Sequence, residues 1–147
     1  MEQVKINIIL KEDAKMPVYA TPQSSGADVY CQEEVTLAPM QRKMVHTGIF
    51  MELPEGVEVQ VRSRSGLAVK KGIIVLNAPG TIDSDYRGEC NVILINLGEE
   101  EVHFDKGERI AQFVFCKNVV KAEFESVACF NETTERGEGG FGHTGTK

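Results

Sequence analysis

In "GVEVQVRSR", residues 56–64, Val57, Val59 and Val61 alternate with Glu58, Gln60 and Arg62. Successive side chains of a strand point to opposite faces, so this period of two predicts a strand with one buried and one wet face. Working outward, "VKINIIL" (4–10) reads as a first strand, and "PVYATPQSSGADVY" as a turn leading into a short extended piece. "EEVTLAPMQRKMVHTGIFMEL" reads as two strands around Ala38-Pro39, and "RIAQFVFC" and "AEFESVACF" as further strands. "NVILINL" (91–97) is apolar at successive positions, as in a strand buried on both faces. Turn signals ("PEG", "APG", "YRG", "LGEE", "DKGE") recur about every 8–12 residues, the rhythm of a sandwich or barrel. The expected fold is therefore all-β, with one short helix at "SGLAVKKG" (65–72). The last strand is expected to end near Phe130, dividing a body (1–130) from a flexible, glycine-rich tail (131–147).

Composition narrows the function. With 147 residues, 41% hydrophobic and 26% charged, the chain suits one soluble domain with a real core. No apolar run approaches the roughly 20 residues of a membrane span. "MEQVKINIILKEDAK" lacks a basic leader and a small-residue cleavage site, which predicts a cytoplasmic protein. Cys31, Cys90, Cys116 and Cys129 are widely spaced, as are His46, His103 and His143, so the cysteines read as core or surface thiols and not as a zinc site or disulfide framework. A net charge of −6 argues against broad nucleic-acid binding but leaves room for a local anion site.

Four stretches have the wrong composition for plain scaffold. "SSGADVY" (24–30) is either a turn capped by Asp28 or part of a site. "RSRSGLA" (62–68) is either a basic turn or an anion site, in which Arg64 supplies a planar fork, Ser65 a hydroxyl and Gly66 a backbone that an anion can approach. "NAPGTIDSDYRGE" (77–89) is either a polar loop or a bent hairpin bearing Asn77, Tyr86 and the acids Asp83 and Asp85, which share a face if the segment is extended. The tail "ERGEGGFGHTGTK" (135–147) is either a solubilising end or a strap, because Arg136 can grip a phosphate and Phe141 can stack on a flat ring. Its "GEGGFG" matches a dinucleotide fingerprint only in letters, since no strand precedes it and no helix can follow. Arginines, hydroxyls, glycine-framed N–H groups, an aromatic lid and paired carboxylates describe hydrolysis of a nucleotide phosphate by a positioned water.

In this order the stretches resemble the homotrimeric dUTPase family. "SSGADVY", "RSRSGLA", "GTIDSDYRGE", "GERIAQFVF" (107–115) and "RGEGGFGHTG" (136–145) are similar to its five motifs, and the match covers nearly the whole chain. The resemblance implies a jelly-roll-like β fold and a homotrimer with three active sites, each built from three subunits. It implies hydrolysis of dUTP to dUMP and pyrophosphate, with Mg²⁺ held by phosphates and waters instead of by protein ligands. Carried over, Asp83 is the base for the attacking water, and Tyr86 stacks under the deoxyribose and excludes a 2′-hydroxyl. Asn77, Asn91 and backbone groups of Gly80, Thr81, Ile82 and Asp83 read uracil. Arg64, Ser65 and Gly66 hold the α and β phosphates and Gln112 the α phosphate, while Asp28 supports the site through Arg109 or metal-bound water. Phe141 and Gly142 close over uracil, and Arg136 and Thr144 reach the γ phosphate.

Two positions depart from the commonest family forms. Ser63 stands where proline often precedes the arginine, and His143 where serine often follows "GGFG". Two rival expectations are a dCTP deaminase-like enzyme on the same fold and a non-catalytic nucleotide-binding β module. The first would release ammonia from dCTP, and the second would lack Asp83, Arg64-Ser65 or the tail, all of which are present.

Overall fold

The alternating segment forms a strand, Val57–Arg62, with its three valines buried and Arg62 exposed. In chain order the strands are β1 (Asn7–Leu10), β2 (Val18–Tyr19), β3 (Ala27–Tyr30), β4 (Val35–Leu37), β5 (Arg42–Val45), β6 (Ile49–Glu52), β7 (Val57–Arg62), β8 (Ile73–Val75), β9 (Gly80–Ile82), β10 (Val92–Asn96), β11 (Val102–Phe104) and β12 (Arg109–Lys117), with one helix, α1 (Ser65–Lys71), after β7. This computed structural model describes residues 2–146; Met1 and Lys147, the ends of the expected body and tail, lie outside the described residues.

A five-stranded sheet runs β2-β3-β12-β7-β9 and a three-stranded sheet β5-β10-β8, flanked by the pairs β1-β6 and β4-β11. Every ladder among the described residues is antiparallel. Val59 and Phe113 from the larger sheet, Val92 and Leu94 from the smaller, and Leu37, Ile49 and Phe104 from the flanking pairs join in one core. The architecture is a jelly-roll-like all-β fold with one short helix, as the sequence predicts. Among the described residues, no helix is long and apolar enough to cross a membrane.

β10 is the interior strand its composition predicts: Leu94, Ile95 and Asn96 are buried in succession. The fully buried Asn96 is satisfied by its surroundings. Its amide donates to the Leu37 and Glu100 carbonyls (2.9 and 2.8 Å) and its Oδ1 accepts from Gly98 N–H (2.8 Å). Leaving one such buried group unpaired would cost about 1–3 kcal/mol. α1 stops at Gly72, whose φ of 68° caps the helix in the left-handed region and whose missing Cβ would otherwise meet Gly98 N at 2.5 Å.

Three local expectations are corrected. Residues 35–52 carry three strands (β4, β5, β6) and not two. Residues 122–130 form no strand: the last strand ends at Lys117, not near Phe130, and 118–130 are exposed throughout, so among the described residues nothing buries their apolar side chains. The stretch 77–89 is not a self-paired hairpin: β9 pairs with β7, and the chain then leaves for β10 in the other sheet.

Candidate active site

β3 and β12 lie side by side in a register that sets Gln112 opposite Asp28, while the other edge of β12 sets Gln112 opposite Arg62. Arg64 stands two residues beyond the end of β7, so the first, second and fourth motif stretches meet at one end of the large sheet. Asp28 is 6% exposed and forms ion pairs with both Arg64 Nε (3.3 Å) and Arg109 Nε (3.5 Å). Arg64 also donates from Nη1 to the Arg109 carbonyl at 3.4 Å. Asp28 thus pairs with Arg109, and Arg64 shares it. Two guanidinium groups are held by one buried carboxylate with N–H groups left for an anion. Gly26 makes room beside them, because a Cβ there would lie 2.5 Å from Gln112 Oε1.

Arg64 is also the N-cap of α1. No side chain caps this helix and no acid lies in its first turn. Ser65 and Gly66 are exposed, and a Cβ on Gly66 would meet nothing within 4 Å. Their N–H groups therefore open onto space that an anion can enter. Ser63 explains itself: its Oγ accepts from Val75 N–H at 2.9 Å, fastening the turn to β8 where proline has no hydroxyl to offer.

In the third stretch, Gly80 backs onto Val61, and Asn77 Nδ2 lies 3.3 Å from where a Gly80 Cβ would stand. The Ala78–Pro79 peptide between them is cis. The Ile82 side chain turns into the core while Thr81 and Asp83 face outward, so Ile82 can offer a ligand only its backbone. Asp83 and Asp85 do not share an extended face: Tyr86 N–H donates to Asp83 O (3.2 Å), making residues 83–86 a turn. Tyr86 is half-exposed, and its hydroxyl donates to the Glu89 carbonyl at 3.0 Å. Asn91 turns its amide toward Met44 Sδ (3.7 Å), and its Oδ1 is buried without a partner.

The tail is not brought to these groups within one chain. Among the described residues, its hydrogen bonds stay inside it, as in Arg136 Nε to the Gly139 carbonyl (2.8 Å) and His143 N–H to the Gly140 carbonyl (3.1 Å). Phe141 is fully exposed and packs on nothing, and Gly142 and Thr144 are exposed beside it.

Sequence reasoning missed Glu89. Its Oε2 meets Lys11 Nζ (2.9 Å) and His46 Nδ1 (3.1 Å), and its Oε1 accepts from Gly48 N–H (2.9 Å). Its partners lie far away in sequence, and the only local signal is an acid placed next to a cysteine that proves buried. Burial alone would raise the Glu89 carboxyl; Lys11, the Gly48 N–H and His46 outweigh it and hold the group below its usual range. Burial first, then the Glu89 charge, pushes the neighbouring Cys90 thiol up to about 11, which keeps it an unreactive core group. Cys31 is buried too, and none of the four cysteines is joined in a disulfide.

The depressed Glu89 carboxyl fixes a sign. Its stabilisation is complete above the unfolded value of about 4.3 and is lost as pH falls through the lower folded value. Glu89→Gln should therefore melt below the parent at neutral pH, and the gap should close in acid. An equal gap at both ends of a pH series of melting curves would show that the charge contributes nothing.

A family model described as dUTPase matches residues 12–145. The chain is 55% identical over 139 residues to the deoxyuridine 5'-triphosphate nucleotidohydrolase of Hydrogenobaculum sp. (strain Y04AAS1), covering 94% of this chain and 95% of that protein. It resembles the solved Staphylococcus bacteriophage 80alpha dUTPase with dUpNHpp at a TM-score of 0.87 and 27% identity, covering 98% of this chain and 100% of that one. It also shares its fold with a mutant dUTPase from phage phi11 of S. aureus, described as coordinating a structural Mg(II) ion (TM-score 0.80, 21% identity, 88% and 100% covered).

Proposed function

Because this chain belongs to the dUTPase family and hydrolyses dUTP, we propose that its own residues release dUMP and pyrophosphate by in-line attack of water on the α-phosphorus. Asp83 orients that water and takes its proton as the new oxygen–phosphorus bond forms, while the bond to the β-phosphate oxygen breaks and pyrophosphate leaves. Exposed at the start of a turn, Asp83 is free to reach a ligand. The observation that carries this reading is the Asp28–Arg64–Arg109 cluster beside the uncapped start of α1. Its guanidinium groups are oriented in advance, so charge on the phosphates meets fixed donors. Gln112 completes that wall, with Ser65 and Gly66 presenting N–H groups to the α and β phosphates.

Base and sugar are read at the third stretch. Asn77, Asn91 and the backbone from Gly80 to Asp83 match uracil's donors and acceptors, and cytosine would leave them unpaired. Tyr86 stacks under the deoxyribose and leaves no space for a 2′-hydroxyl. The tail then closes: Phe141 and Gly142 over the base, Arg136 and Thr144 toward the γ phosphate.

Closure is proposed to occur in a homotrimer, with one subunit supplying the base pocket, a second the phosphate turn and a third the strap. The exposed apolar side chains of residues 118–130 support an assembly: Val120, Phe124 and Phe130 are at least 86% exposed in the single chain. Covering them would recover about 25 cal/mol per Å² of apolar surface. With residues 118–130 covered in the assembly, the body runs over 1–130 and the closing tail over 131–147.

Mg²⁺ fits this site as a partner of the substrate. Among the described residues, the one trio of close ligand-type side chains is Glu34, His103 and Asp105, exposed on and beside β4 and β11, while the phosphate wall is basic. Phosphate oxygens and waters would hold the ion, which neutralises charge on the triphosphate. We place the reaction in the cytoplasm, where it keeps dUTP from DNA synthesis and supplies dUMP for thymidylate.

With Mg²⁺ and, separately, dUTP, dTTP, dCTP and UTP, pyrophosphate should appear from dUTP alone. Ammonia from dCTP would move the pocket to deaminase chemistry, and comparable turnover of UTP would remove the role assigned to Tyr86.

A further inference from the structure

Tyr86 stands on a turn with nearly half its surface open, yet its ring must hold one position to refuse a 2′-hydroxyl. Arg87 closes the turn from one side, donating from Nη1 to the Ser84 carbonyl (2.7 Å) and the Tyr86 carbonyl (3.1 Å). On the other side the tyrosine folds back over Gly88, where a Cβ would come within 2.3 Å of its hydroxyl oxygen. The ring then ends at the Glu89 carbonyl, 3.0 Å from its hydroxyl. That carbonyl is a fixed point only if residue 89 cannot move.

Its side chain supplies the fixity. The Glu89 carboxylate, 12% exposed, is clamped at both oxygens by Lys11 at the end of β1 and by His46 and Gly48 between β5 and β6. The next residue is held as well: Cys90 N–H donates to the Ile49 carbonyl (2.8 Å), and Thr47 Oγ1 donates to the Cys90 carbonyl (2.6 Å). We infer that Glu89 is a positioning residue for sugar discrimination, tying the Tyr86 hydroxyl to the rigid β1 and β5–β6 framework so that the ring stays where a 2′-hydroxyl would have to go. The inference rests on the reading of Tyr86 as the group that contacts the sugar. A merely structural clamp would lower stability and slow all nucleotides alike. A positioning clamp changes the ratio between dUTP and UTP and leaves the ratio between dUTP and dCTP alone.

The experiment compares kcat/KM for dUTP, UTP and dCTP in the full-length protein and in Glu89→Gln, Tyr86→Phe and Tyr86→Ala. Tyr86→Ala tests the underlying reading and should collapse the preference for dUTP over UTP. Glu89→Gln and Tyr86→Phe, which loosen the anchor from either end, should each reduce that preference about tenfold, with discrimination against dCTP unchanged. Glu89→Asp, which keeps the charge, should recover part of the preference. If Tyr86→Ala relaxes sugar choice while Glu89→Gln and Tyr86→Phe do not, the positioning role is wrong and the reading of Tyr86 stands. If Tyr86→Ala leaves sugar choice intact, both fall. Should Glu89→Gln fail to fold, Tyr86→Phe alone decides, because it cuts the same hydrogen bond without touching the clamp.

Discussion

Asp83→Asn should bind dUTP as the parent does and hydrolyse it about 10²–10⁴-fold more slowly. The asparagine keeps the shape of the side chain and can still hydrogen-bond a water, but its amide oxygen is too weakly basic to take the proton. Asp83 is exposed, and its carbonyl, not its side chain, holds the turn to Tyr86, so melting should be unaffected. Titration with a non-hydrolysable analogue, beside single-turnover rates, separates the two effects. Weakened binding together with a preserved single-turnover rate would assign Asp83 to holding substrate and move the base elsewhere.

Removal of the chain from Arg136 onward should leave melting unchanged and cut kcat/KM for dUTP at least about a hundredfold. The stability half follows from the structure: among the described residues the tail bonds only to itself, and Phe141 buries nothing. The activity half follows from the chemistry. If the tail closes as proposed, its loss lets water into the phosphate site and takes Arg136 from the γ phosphate, and misplacement of the triphosphate by about 1 Å costs on the order of a hundredfold. A truncated protein with full turnover would make the tail a solubilising end.

Where the signal was local, the fold could be read directly. The valine alternation of β7, the helix between Ser65 and its glycine stop at Gly72, and the continuous apolar run of β10 all have their causes within a few residues. The stretch 77–89 misled because turn formers at both ends look alike whether its arms pair with each other or not; here only Gly80–Ile82 is a strand, and it pairs with β7. Residues 122–130 misled differently. Their apolar pattern asks for a covering surface that the single chain does not place over them.

Sequence reading singled out Asp28 and Arg64 for their residue types, and the fold brings the two side chains together at the start of α1. The site was illegible where ordinary residues act through distant contacts. Glu89 lies 43 residues from His46 and 78 from Lys11, and no spacing rule joins them.

Which phosphorus the water attacks decides the mechanism. Hydrolysis of dUTP in water labelled with heavy oxygen, with both products weighed by mass spectrometry, reads this in one step. Attack at the α-phosphorus predicts one heavy oxygen in dUMP and none in pyrophosphate. Label in pyrophosphate would place the attack at the β-phosphorus and contradict Asp83 as the base for a water aimed at the α-phosphorus.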